Sequence, residues 1–111
     1  SSVLNFQKET PKGRHSWFGF PMVINKDAPF SVNELREHLE KDGVETRPII
    51  AGNMALQPAV KMYSHRIYGS LNNCTHVMNN GLAVASHQSL DDLSLKHIVS
   101  SIVSFMEAKG I

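Results

Sequence analysis

Cysteine is almost absent: Cys74 stands alone. One thiol cannot close an internal disulfide, and it gives no sign of an oxidising compartment. No apolar run approaches the roughly 20 residues that span a bilayer, so no membrane partner is expected. The opening residues, Ser1-Ser2-Val3-Leu4-Asn5, hold neither a signal-type apolar core nor an initiator methionine. A cytoplasmic location is the expectation, and the missing methionine points to a processed chain or a fragment. Charge of one sign is lacking as well. The formal net charge is +1, with Lys and Arg scattered along the chain, whereas binding to nucleic acid needs a basic stripe.

Recognisable catalytic machinery is missing too. There is no Gly-x-Ser-x-Gly and no phosphate-cradling glycine-rich loop before a helix. Six histidines invite a metal reading, but His65, His76, His87 and His97 are spread evenly, without Cys-x-x-Cys or His-x-x-x-His spacing. No metal is expected. Cys74 falls on the apolar face of a short predicted helix, where an inert buried thiol is the usual outcome. The neighbouring acids Asp91 and Asp92 are explained by the dipole of the helix they begin.

What remains is a globular chain. Its 111 residues suit one domain, and 41% apolar with 19% charged residues leaves no disorder signature. Residues 1–14 are polar and read as an entry segment or linker. Trp17 to Ile24 is aromatic and β-branched, hence a strand, with Pro21 arguing for an edge or a bulge. Ser31 and Glu34 form a capping box before Val32, Leu35 and Leu39, and Gly43 ends that helix. Val44 to Ile50 is the next strand, and Pro58 opens a short helix to about Tyr63.

A loop over 68–73 leads to a helix carrying Cys74, Val77 and Met78, ended by Gly81. Leu82 to Ala85 suits a buried strand. Ser89-Leu90-Asp91-Asp92 caps a last helix whose Leu95, Ile98, Val99, Ile102 and Met106 repeat at helical spacing. The expectation is an α/β or α+β sandwich, about three strands with helices packed on the sheet.

The most informative stretch is Val44-Glu45-Thr46-Arg47-Pro48. Alternation puts Glu45 and Arg47 on one strand face and Val44 and Thr46 on the core side. The two charges either screen each other at the surface or await a ligand. Pro48 and the Gly52-Asn53 turn favour the second reading, because binding groups collect where strands run into loops. His87, between a strand and a helix cap, either satisfies its own loop or points out from a sheet edge. Asn80 before Gly81 is equally good turn chemistry.

Trp17-x-Gly19-Phe20-Pro21, Gly43-Val44-Glu45-Thr46-Arg47-Pro48, Ala51-Gly52-Asn53, Gln57-Pro58, Asn80-Gly81-Leu82 and His87-Gln88 occur in that order. Together they resemble the C-terminal small domain of pyridoxal-phosphate (PLP) sugar aminotransferases of the DegT/DnrJ/EryC1/StrS type, enzymes of PLP fold type I. Glu-Thr-Arg-Pro followed by Ala-Gly-Asn is closer to the nucleotide-sugar 3-dehydratase branch.

The resemblance implies a domain over 15–111, with PLP or its aminated form PMP bound by a separate N-terminal domain of a homodimer. None is expected on this chain alone. The Schiff-base lysine of the aminotransferases, the histidine replacing it in 3-dehydratases, and the iron–sulfur cysteines of one subclass would all lie upstream. No catalytic residue is then expected here. Glu45, Arg47, Asn53, Asn80 and His87 are the implied substrate contacts, toward a nucleotide-linked 4-keto-6-deoxyhexose in deoxysugar or lipopolysaccharide biosynthesis. Ala85-Ser86 replaces the glycine pattern usual before the histidine, which sets His87 slightly apart. Aminotransfer to C4 is the close alternative. A free-standing binding module, suggested by the lean sheet and five methionines, is the alternative from another class.

Overall fold

The computed structural model describes residues 3–111; Ser1 and Ser2, part of the expected entry segment, lie outside the described residues. The elements run β1 (Leu4–Phe6), β2 (Phe20–Ile24), α1 (Val32–Lys41), β3 (Thr46–Arg47), a 3-10 turn (Met54–Leu56), α2 (Pro58–Lys61), α3 (Asn72–Asn80), β4 (Gly81–Val84) and α4 (Asp92–Ala108). The strands form one antiparallel sheet in the order β1-β2-β4-β3. The fold is α+β, with four strands where three were expected.

The extra strand is β1, inside the segment read as a linker. Only Leu4 of its three residues is buried, so its apolar signal is one side chain long. β1 ends with Phe6 opposite Met22. Beyond that point β2 has a neighbour only on the β4 side, where Pro21 pairs with Ala83. Pro21 therefore sits on an inner strand at a locally bare edge, which satisfies its missing N–H. The predicted strand at 44–50 shrinks to Thr46–Arg47, because Pro48 cannot continue the ladder.

α1 begins as expected. Ser31 Oγ accepts from Glu34 N, and the Glu34 carboxylate accepts from Ser31 N at 2.8 Å. Val32, Leu35 and Leu39 are buried. They meet Met22, Ile24, Leu82 and Val84 from the sheet and Phe105 and Met106 from α4 in one core. Burying each such side chain contributes roughly 1.5–3 kcal/mol.

α4 departs from expectation. Leu95 and Val99 are exposed, while Ile98, Ser101, Ile102, Phe105 and Met106 face inward. Ser101 is held in that core face by donating to Asp42 Oδ2 at 2.6 Å. Cys74 is exposed, not buried, because α3 turns Thr75, His76, Val77 and Met78 toward the protein instead.

Candidate functional site

Along each strand, residues alternate between the two sheet faces. Met22, Leu82, Val84 and Thr46 turn toward α1 and α4, so Pro21, Ala83 and Arg47 lie on the opposite face. There they open into a groove of about 900 Å³. Pro21 and Ala83 form its floor. Glu45, Arg47, Pro48, Ile49 and Ile50 come from β3 and its exit, Gln7, His15 and Phe18 from the chain before β2, and Ser86 and His87 from the chain after β4.

Short strands explain how the groove is built. β3 stops at Arg47, and the chain then turns through Ala51 and Gly52, both in the left-handed region at φ +58° and +52°. The turn is fixed underneath. Asn53 is buried; its Oδ1 accepts from Ala55 N at 3.1 Å and its Nδ2 donates to Thr75 Oγ1 at 3.0 Å. Gln57 Nε2 reaches back to Ala51 O at 2.9 Å. The Ile49 side chain lies close against Gly81. On the other side, Trp17 lies between His15 and Phe20, meeting the first ring edge-to-face at 4.2 Å and the second at a tilt at 5.6 Å, and Ser86 Oγ donates to Trp17 O at 3.4 Å.

The five residues singled out from the sequence separate into two groups. Glu45, Arg47 and His87 line the groove together. Glu45 Oε1 and Arg47 Nη2 pair at 2.5 Å, both side chains more than two-thirds exposed, so this pair adds little stability by itself. It presents one acceptor and one set of planar donors to whatever enters. Asn53 and Asn80 do not line the groove. Asn53 is spent on the turn, and Asn80 Nδ2 bonds back to His76 O at 3.1 Å within α3. Phe18, 89% exposed at the groove, was missed as a site residue, although it lies inside the Trp-x-Gly-Phe-Pro motif.

None of the groove-lining residues is a lysine, so they offer no amine to a pyridoxal aldehyde. No chemical step follows from these residues alone. A second depression, about 520 Å³ and lined by Val3, Asn25 to Ala28 and His76, contains none of the five. One cluster elsewhere has the composition of a catalytic triad: His38, Asp42, Ser101 and Ser104. Its geometry is different. His38 Nε2 alone faces Ser101 O at 3.1 Å, Ser104 Oγ at 3.3 Å and Asp42 Oδ2 at 3.5 Å. A relay needs the acid on one ring nitrogen and the nucleophile on the other. This is a tie between α1 and α4.

Residues 1–103 match the model of the DegT/DnrJ/EryC1/StrS aminotransferase family. The chain belongs to that family. Among characterised relatives, it is 37% identical over 86 residues to the GDP-4-keto-6-deoxy-D-mannose 3-dehydratase of Escherichia coli O55:H7, covering 77% of this chain and 22% of that protein. It is 32% identical to the dTDP-4-dehydro-2,6-dideoxy-D-glucose 3-dehydratase of Saccharopolyspora spinosa, covering 87% and 21%. Its fold superposes with a TM-score of 0.77 on a mutant GDP-4-keto-6-deoxymannose 3-dehydratase with bound GDP-perosamine, at 32% identity, covering 93% of this chain and 26% of that one. The E. coli enzyme solved with hydrated PLP gives the same TM-score at 31% identity, covering 90% and 25%. The chain thus spans about a quarter of the length of the family members it matches.

Proposed function

We propose that this chain acts as the C-terminal small domain, residues 15–111, of a PLP- or PMP-dependent nucleotide-sugar 3-dehydratase in the cytoplasm, working on a 4-keto-6-deoxyhexose as part of a homodimer. The supporting observation is the convergence of Glu45, Arg47 and His87 on one open groove, in a family member similar over this region to sugar 3-dehydratases. The cofactor, held by another part of the assembled enzyme, supplies the electron sink that lets the 3-hydroxyl depart.

The groove's own role is substrate recognition. Arg47 donates to sugar or phosphate oxygens, Glu45 both orders Arg47 and accepts from a hydroxyl, and His87 offers a further hydrogen bond at the groove end. The apolar Phe18, Ile49 and Ile50 exclude water around them. Charge-assisted hydrogen bonds of this type contribute roughly 1.5–3 kcal/mol, or about ten- to a hundredfold in affinity.

The test is an assay of the intact gene product with PMP and GDP-4-keto-6-deoxymannose, reading the product by mass spectrometry. Replacement of the 3-hydroxyl by hydrogen, a net loss of one oxygen from the sugar as PMP becomes PLP and ammonia is released, supports the reading; an amine in place of the ketone makes the protein a 4-aminotransferase instead. Arg47→Gln is expected to raise KM at least about tenfold. Unchanged kinetics in both Arg47→Gln and His87→Gln would remove the groove from the site.

A further inference from the structure

Glu40 is an acid at the wrong end of its helix. It lies in the last turn of α1, where the carbonyl end of the macrodipole disfavours a carboxylate. Among the described residues it takes part in no ion pair. Its carboxylate has one hydrogen-bond partner there: Thr46 Oγ1 donates to Glu40 Oε1 at 2.7 Å. Thr46 is 8% exposed and stands between Glu45 and Arg47, the charged pair of the groove.

The path from α1 to β3 is short and rigid. Val44 N donates to Leu39 O at 2.8 Å and Gly43 N to Glu40 O at 3.1 Å, with Gly43 left-handed at φ +80°. This is a Schellman ending, and the two apolar residues that such an ending brings together, Leu39 and Val44, are both buried in the core. β3 itself is only two residues long, with Thr46 opposite Val84 and Arg47 opposite Ala83. Two pairs specify a register weakly, and a slip of one residue would carry Arg47 to the core side and Thr46 to the groove. The bond to Glu40 opposes that slip, because it holds the Thr46 hydroxyl on the α1 side.

We propose that Glu40 and Thr46 are positioning residues for substrate recognition: the bond between them fixes the face of β3 and so aims Glu45 and Arg47 into the groove. Neither Glu40 nor Thr46 lines the groove. For stability alone the arrangement is a poor one, since part of what the hydroxyl bond contributes is lost against the helix dipole. Its position is explained by what it holds in place. This assignment rests on the reading of the groove as the substrate site of a sugar 3-dehydratase.

The experiment assays the intact gene product with PMP and GDP-4-keto-6-deoxymannose. Thr46→Val keeps the shape and burial of the side chain but removes the donor, whereas Thr46→Ser keeps the donor. Thr46→Val is expected to raise KM about three- to tenfold with kcat within about twofold, and Thr46→Ser to behave as wild type. Glu40→Ala should match Thr46→Val, and the double substitution should be no worse than either alone. In an Arg47→Gln background, Thr46→Val should add nothing. Equal losses in Thr46→Val and Thr46→Ser overturn the proposal, as do effects of Thr46→Val and Arg47→Gln that multiply. Dehydratase turnover with an unchanged KM in Thr46→Val sinks this inference and leaves the enzyme reading intact.

A second readout is independent of turnover. In NMR relaxation of this chain, amides 45–47 are expected to become more mobile in Thr46→Val and Glu40→Ala, but not in Thr46→Ser. Amides as rigid as wild type in Thr46→Val overturn the proposal whatever the enzyme does. Mobile ones, in a gene product without dehydratase turnover, leave the aiming of the pair standing and remove the dehydratase reading.

Discussion

Gly52 shows how much of the groove depends on one missing methyl group. Its φ is +52°, and a Cβ there would lie 2.4 Å from Met78 Cβ. Neither the backbone conformation nor the space admits a side chain. The preceding Ala51, at φ +58°, already carries strain of the type that accumulates near functional sites. Gly52→Ala is therefore expected to destabilise the chain by more than about 1 kcal/mol, read as a lower urea midpoint. The same substitution should also loosen the Pro48–Ile50 wall, because that wall and the Asn53 anchor flank the turn. A variant with the wild-type midpoint would mean that the turn relaxes elsewhere. Arg47 behaves in the opposite manner: with 77% of its side chain exposed, replacing it should leave stability nearly unchanged and act on binding alone.

At the scale of elements, α1 and α4 are joined at both ends by polar contacts. Lys109 Nζ donates to Glu34 Oε1 at 2.6 Å at one end, and the Ser101–Asp42 bond lies at the other. The Lys109 ammonium, followed by the Ser31 backbone and hydroxyl, holds the Glu34 carboxyl down to about 2 from an ordinary 4.5. Asp42 is likewise lowered, first by the Ser101 hydroxyl, and Asp91 by Ser94. A depressed carboxyl favours the folded state above its unfolded value and loses that contribution as it protonates. The Glu34 share is thus complete above pH 4.5 and disappears as pH falls from 4.5 through about 2. Urea midpoints measured across that window should show the wild-type advantage over Glu34→Gln shrinking as acid is added. Residual acid sensitivity in the variant is expected from Asp42 and Asp91. An advantage that stays constant with pH would show that the Lys109 contact is absent in solution.

These elements also show what the sequence could and could not reveal. The capping box of α1 was legible, because a cap is a local device between residues three apart; the start of α4 was legible as the stretch Ser89 to Asp92, within which the structure makes Asp91 the cap and not a first-turn residue. The inward face of α4 was not. Apolar residues surround that helix, and the side facing α1 is marked instead by Ser101, a polar residue whose partner Asp42 is remote in sequence. β1 was illegible for the same reason: its pairing with β2 gives it a place that its own composition does not announce. In the groove, strand alternation correctly set Glu45 and Arg47 together on one face. It could not show that the buried Asn53 serves the turn, since that depends on Thr75 across the fold.

For the whole molecule, the surface is larger than the chain's size requires. It exposes 8254 Å², against roughly 6,100 Å² for a compact monomer of this mass, and its radius of gyration of 15.8 Å exceeds the roughly 13 Å typical of about 100 residues. The surplus suits a piece that packs against further polypeptide. It also leaves the sheet thinly protected, which gives β1 a role beyond its length. Along Met22 to Ile24, β1 is the outer neighbour of β2. Leu4 is 5% exposed in the core, and Phe6 rests on Phe20 at 5.7 Å. Leu4→Ala should cost about 2–5 kcal/mol, as for other buried leucines. Removing residues 1–8 should do more than add to that loss. It opens the N–H and C=O groups of β2 along an apolar edge, and such an edge pairs with whatever strand it meets. The expected result is concentration-dependent association of the truncated chain in sedimentation, with the Leu4→Ala variant remaining monomeric at the same concentration. If both variants stay monomeric and equally destabilised, β1 contributes only its leucine, and the edge of β2 is protected by the twist of the sheet instead.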